Sequence, residues 1–170
     1  MSLPTALIGI AILSCLISVA VLGSLVRAQI PGIRHWCVAS GLLTVTATLL
    51  LFRGANLVAL GASALLLVSA LYALRGFREF FHLRPSLSWE NGALGAILAG
   101  LVYWTCVSPD VDARAALISG SLAYVRFVIG WLVHRHRPSG RPKYGYYFVS
   151  VAAGMGAFVH AARCVAYGFG

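Results

Sequence analysis

Acidic side chains are nearly absent: the 170 residues include four Asp and Glu against thirteen Lys and Arg. Charge of either sign is scarce too, at 10% of residues, where a soluble domain carries about 25%. A chain this poor in charge cannot cover a water-facing surface, which excludes a soluble globular domain and a disordered tail. Cysteine is sparse. Cys15, Cys37, Cys106 and Cys164 form no CxxC, and each falls in or at the end of an apolar segment. They read as small packing residues, not as a disulfide scaffold or a metal or redox site. The sequence also lacks a nucleotide-binding glycine fingerprint, a Walker lysine, an HExxH and a GxSxG. With four acids in all, nothing composes a catalytic constellation, so neither an enzyme activity nor a cofactor is expected of this chain.

What is abundant is apolar: 60% hydrophobic residues, with a mean hydropathy of +0.88. The expected class is an all-α polytopic membrane protein in which a single module fills residues 1–170. A membrane helix needs about 20 mostly apolar residues, and six segments suit. They run over about Pro4 to Val26, Trp36 to Phe52, Leu57 to Leu74, Gly92 to Val107, Ala115 to Val133 and Tyr144 to Tyr167. The fourth is the shortest and lengthens through Ser88, Trp89 and Glu90 if Glu90 sits at headgroup level. A cleaved signal peptide is the alternative for the first segment, but it lacks a basic leader and its apolar run is long.

The connections are short, so neighbouring helices are expected to be antiparallel. They are Arg27 to His35 with a Pro31-Gly32 turn, Arg53 to Asn56, Arg75 to Glu90, the Ser108–Asp112 stretch, and His134 to Lys143 with Pro138-Ser139-Gly140 as its breaker. Connections one, three and five hold Arg27, Arg34, Arg75, Arg78, Arg84, Arg135, Arg137, Arg141 and Lys143, nine of the thirteen basic residues. The opposite side holds Arg53, Arg114 and Arg163. Cytoplasmic loops retain Lys and Arg, so the odd connections face the cytoplasm and the N-terminus lies outside. The net charge of +9 is then a topology signal in contact with anionic lipid, and no nucleic-acid partner is expected.

Several residues stand out as candidates for function. Arg126 interrupts the fifth span, where a charge costs roughly 2.5–3.5 kcal/mol or more. It shares a helical face with Ser119, Ala123 and Gly130, so it is expected to point into the bundle. It would there satisfy loop carbonyls or reach headgroups, or else contact a polar or anionic ligand. His160 and Arg163 lie one turn apart near the outer end of the sixth span, with Ala153, Gly156, Ala157 and Tyr167 on or near the same face. Asp110, Asp112, Arg114 and Arg53 are expected at the same outer level. Ordinary surface pairing and a ligand-sensing pocket are both open there. The HxH of His134-Arg135-His136-Arg137 lacks nearby acids or cysteines and reads as a basic membrane anchor.

Ser88, Gly92, Ala96 and Gly100 recur every four residues along the fourth span, a stripe that lets helix backbones approach. Ser150 and Gly154, with Ala153, Ala157 and Ala161, make a similar face on the sixth. Trp36, Trp89, Trp104 and Trp131, and tyrosines such as Tyr103 and Tyr144, sit mostly near span ends, as in an aromatic belt.

Four stretches together resemble the N-terminal membrane module of bacterial diguanylate cyclases that end in a cytoplasmic GGDEF domain. They are VLGSLVRAQIPGIRHWCVASGL (Val21 to Leu42), LLFRGA (Leu50 to Ala55), LYALRGFREFF (Leu71 to Phe81) and the run from Val128 to Gly170. They fall along nearly the whole chain, and their order and spacing carry the likeness. The resemblance implies a sensory or regulatory module of the bacterial inner membrane. It would control a cyclase that condenses two GTP into cyclic di-GMP with Mg²⁺, and a homodimer and a small ligand are possible partners. The sequence departs from that pattern: it has no GGDEF motif and no seventh span, and an outside N-terminus with six spans leaves the C-terminus outside. The expectation is a fragment whose last helix and output domain are missing. A small transporter or channel subunit and a plain membrane anchor or dimerisation module stand as alternatives.

Overall fold

The computed structural model describes residues 3–52, 56–84, 88–137 and 143–169, with side chains from residue 8 onward. Those residues form helices and no strand. The order is α1 (Leu3–Leu25), a 3-10 turn (Val26–Ala28), α2 (Ile33–Leu49), α3 (Asn56–Phe80), α4 (Ser88–Val102), a π turn (Tyr103–Val107), α5 (Val111–Arg135) and α6 (Tyr144–Gly168). Four stretches are long and apolar enough to cross a membrane: Ile8–Ala28, Asn56–Phe80, Val111–Arg135 and Tyr144–Gly168. α2 has 17 residues, and α4 has 15 before its π turn.

Apolar segments of this length suit helices, which satisfy each backbone polar group within the segment, as a membrane core requires. Small hydroxyls follow the same rule. Thr44, Thr46, Thr48, Ser63, Thr105 and Ser121 each donate to the carbonyl four residues back, at 2.6–2.9 Å.

Close backbone approach builds two helix pairs. In the first, Gly32 caps α2 at φ +85, and a Cβ there would strike the Gly76 carbonyl of α3. A Cβ on Gly76 would in turn strike the Trp36 indole. Trp36 Nε1 donates to the Ala73 carbonyl at 3.3 Å, and its ring meets Phe77 edge-on at 5.0 Å. Ser69 ties the same pair by donating to the Ala39 carbonyl at 2.8 Å. In the second pair, Gly130 of α5 lies against Ala153 and Gly154 of α6, and Ser150 Oγ donates to the Gly130 carbonyl at 2.9 Å. The α3 and α5 helices join the pairs through buried Leu71, Leu74, Ile129, Leu132 and Val133. α1 rests on α2, while α4 touches the rest of the bundle only thinly.

The third connection differs from expectation. The third helix runs on to Phe80 instead of ending near Leu74, so Arg75, Phe77, Arg78, Glu79 and Phe80 are helical. No breaker interrupts that stretch. The helix stops at His82 in the left-handed region, φ 56. There His82 N–H donates to the Glu79 carbonyl at 2.9 Å and Leu83 N–H to the Arg78 carbonyl at 2.8 Å, which is a Schellman cap. The ends of other connections are helical too: Arg34 and His35 belong to α2, and Asp112 and Arg114 to α5. Arg53, Arg141 and the Pro138-Ser139-Gly140 breaker lie outside the described residues.

Two substitutions test the caps in opposite directions. Gly32→Ala should lower stability in detergent by about 1–2 kcal/mol from backbone strain alone, and more from the Gly76 contact. His82→Gly should raise it by about 1 kcal/mol. Thermal unfolding followed by circular dichroism reads both.

Candidate functional site

The chemistry of the bundle gathers where α4 begins. Glu90, in the first turn of α4, is 4% exposed, and Arg78, near the end of α3, is 6% exposed. The guanidinium grips the carboxylate with two bonds of 2.5 Å, Nη1 to Oε2 and Nη2 to Oε1. Such a fork-to-fork pair is the strongest geometry open to the two groups. Tyr124, midway along α5, donates to Glu90 Oε1 at 3.1 Å. One turn before Arg78, Arg75 donates to Asn91 Oδ1 at 2.6 Å. Three helices therefore meet on one carboxylate. The fourth helix does lengthen through Ser88, Trp89 and Glu90, and Glu90 is buried by protein. The arginine on the prolonged α3 supplies the countercharge that lets it be buried.

Beyond this cluster the walls turn apolar. A cleft of about 600 Å³ runs between α3, α4 and α5. Leu67 and Leu71 line it from α3, Leu94 and Ile97 from α4, and Ala116 and Leu117 from α5. Glu90 and Tyr124 lie towards one end and Trp104 towards the other. Glu90 and Trp104 are fourteen positions apart, about 21 Å along a helix. Trp89 meets the Tyr124 ring edge-on at 5.6 Å.

The walls of the cleft call for hydrocarbon, and its volume lies within the usual range for small-molecule sites, about 300–1,000 Å³. α4 spans it because its packing face is the bulky one, carrying Glu90, Leu94 and Leu101. The small-residue stripe points elsewhere. Ser88, Gly92 and Ala96 are exposed, a Cβ on Gly92 would meet open space, and only Gly100 abuts α5, at Leu117. Within this chain the stripe meets a neighbouring helix only at Gly100 among the described residues. On α6, by contrast, the Gly154 backbone does meet α5.

The other candidates fall into separate places. Arg126 does not point into the bundle: it is exposed, and its guanidinium lies along α6 upon Gly156. Ser119 and Gly130, expected on its face, are buried. The approach of α6 over that face leaves no room for a guanidinium except where Gly156 lacks a side chain. His160 lies one turn beyond Gly156, with Arg126 and Arg163 as its charged neighbours. Arg163 stacks over Tyr167, 5.5 Å from the ring centre.

At the start of α5, Asp110 Oδ1 accepts from the Asp112 and Ala113 N–H groups at 2.9 Å, an N-cap. Arg114 donates to Thr105 Oγ1 at 3.4 Å. Among the described residues no ion pair joins Asp110 or Asp112 to Arg114 or Arg163. Arg53 lies outside the described residues. Among these residues, too, no three His, Cys, Asp or Glu gather to hold a metal ion. His136 contacts the Phe81 ring at 5.8 Å.

Sequence reasoning missed the Arg78–Glu90–Tyr124 cluster. The available signal was the pairing of a lone acid, Glu90, with an arginine-rich stretch that has no helix breaker. No family model, curated protein or solved structure matches the chain.

Breaking the pair should be costly. Glu90→Leu strands a buried guanidinium and should lower stability by about 3–5 kcal/mol, whereas Arg78→Met with Glu90→Leu should recover most of the loss. Unfolding in a detergent series compares the variants. A double variant as unstable as Glu90→Leu would show that the charge pairing is not what holds α4.

Proposed function

We propose that this chain is a regulatory module of the bacterial inner membrane, not catalytic by itself, that couples an apolar signal in the bilayer to a cytoplasmic output. In this reading all six helices cross the membrane. The N-terminus lies outside, and the arginine-rich connections one, three and five face the cytoplasm. The short α2 and α4 are completed by the turns that follow them. The resemblance to GGDEF-linked membrane modules names the output as a diguanylate cyclase.

One observation carries the proposal: the apolar cleft ends in a buried ion pair that ties α4 to the cytoplasmic end of α3. A hydrocarbon occupant pressing on α4 bears directly on Glu90. Glu90 holds Arg78, and Arg78 sits one turn before the cap that leads into the third connection. Few other contacts restrain α4, so two positions of that helix can differ modestly in energy. An occupant shifts the balance only through a difference in affinity between them.

Two measurements test this reading. With the four native cysteines replaced, a cysteine at Lys143 should react with an impermeant maleimide only from the cytoplasm, and one at Val111 only from outside. Labelling of both from the same side would refute the topology. In cells expressing the chain joined through one further membrane helix to a cytoplasmic GGDEF domain, Ala116→Phe should fill the cleft and change cyclic di-GMP by about threefold or more. An unchanged level, with the protein present in the membrane, would refute the cleft as the input.

A further inference from the structure

Arg126 poses a separate problem of charge. It lies nine residues before the end of α5, by 135 − 126, or about 14 Å at 1.5 Å per residue. That is beyond the reach of an extended arginine, and the other end of the helix is farther still. Its side chain is exposed on a helix long and apolar enough to span a membrane. Among the described residues it has no ion pair and no hydrogen bond. Beside it, His160 Nδ1 is buried and also lacks a partner among those residues. Around them α6 shows a lipid-exposed apolar surface, with Met155 66% and Val159 58% exposed. Arg126 is thus a charged group in want of an acceptor on a hydrocarbon-facing surface, a costly arrangement unless something covers it, and the buried His160 Nδ1 beside it is unsatisfied too.

The chain's own acids cannot do so. Glu79 lies 2.7 Å from His35, and Glu90 is held by Arg78. Asp110 and Asp112 are at the start of α5, and Asp112 is fourteen residues from Arg126, about 21 Å along the axis. A second copy related by an axis along the membrane normal keeps every residue at its depth, and the acid nearest that of Arg126, Glu90 on Tyr124, is buried against Arg78, so it brings no exposed acid to Arg126 either.

We infer that the face of α5 and α6 bearing Arg126, Gly156 and His160 is the seat of another transmembrane helix that carries an Asp or Glu near its midpoint. Gly156 supplies the flat floor on which the guanidinium lies. Arg126 offers two or more N–H donors to the carboxylate, with His160 beside it on the same face. Methionine and valine on either side give apolar contact. The inference stands on α5 and α6 spanning the bilayer, not on the cyclase or the cleft.

The test uses the full chain in phosphatidylcholine vesicles with a leucine–alanine model helix, labelled for energy transfer. One version of the helix has a single central Asp, and another has Leu in its place. The Asp helix should associate about tenfold more tightly than the Leu helix. Arg126→Leu should abolish the preference. Gly156→Ala, which keeps the arginine but pushes its guanidinium aside, should weaken it. Circular dichroism of both variants checks that the bundle is intact. Equal association of the two helices with the native chain, or a preference that survives Arg126→Leu, overturns the inference. Loss of the preference on adding phosphatidylglycerol would identify a lipid phosphate as the occupant and overturn the helix.

Discussion

In this bundle the position of α4 depends on one buried ion pair. Helices in hydrocarbon gain little from apolar contact, because the lipid is as apolar as a leucine. What distinguishes one arrangement from another is close backbone packing and polar groups that have no other outlet. The small residues that α4 offers for close packing point away from the bundle, so the second device carries it. Arg78 and Glu90 are each intolerable alone in that setting, and together they define where α4 begins. Tyr124 extends the constraint to α5. The apolar cleft is the consequence: α4 is held at Glu90 and near Gly100, and between these points few of its side chains besides Leu94 reach α3 and α5.

The two close pairs, α2 with α3 and α5 with α6, show the contrasting mode. Gly32, Gly76 and Gly130 sit where a single methyl group would collide with or crowd a neighbouring backbone or indole. Trp36 occupies the space above Gly76 and uses its indole N–H on a backbone carbonyl. A tryptophan near a span end looks like a belt residue in the sequence, yet here it is a packing wedge. These pairs are rigid by comparison with α4. Any movement linked to the cleft is therefore expected in α4 and in the connection that precedes it.

Much of this was legible in the chain. The apolar runs locate all six helices, and the Pro31-Gly32 turn falls where the backbone needs φ > 0. The Ser150 and Gly154 face on α6 meets α5 as its small residues suggest. What was illegible depends on tertiary partners. Hydropathy ends the third span at Leu74 because the next residues are charged. The helix continues because Arg75, Arg78 and Glu79 each find a partner on another helix. The stripe from Ser88 to Gly100 has the spacing of a packing face, but spacing does not say which face a helix turns inward. Glu90, on a different face, decides that. The acids and bases expected at one outer level are spread over separate helix ends, and position along a span does not say which side chains meet.

Arg78 and Arg126 are the same side chain set against an apolar environment, and the difference between them is informative. Arg78 came with a carboxylate twelve residues further along the chain, and the fold closed on that pair. Arg126 came with none within reach, so α6 turned a glycine towards it and left its charged tip exposed. A chain with four acids has two of them near its third connection and two near its fourth, and the one that reaches the middle of α5, Glu90 at Tyr124, is already held by Arg78. Glycine at 156 accommodates the guanidinium sterically but does nothing for its charge. The fold has therefore resolved the packing of Arg126 without resolving its electrostatics. In a medium of low dielectric that remainder is large enough to select what binds alongside.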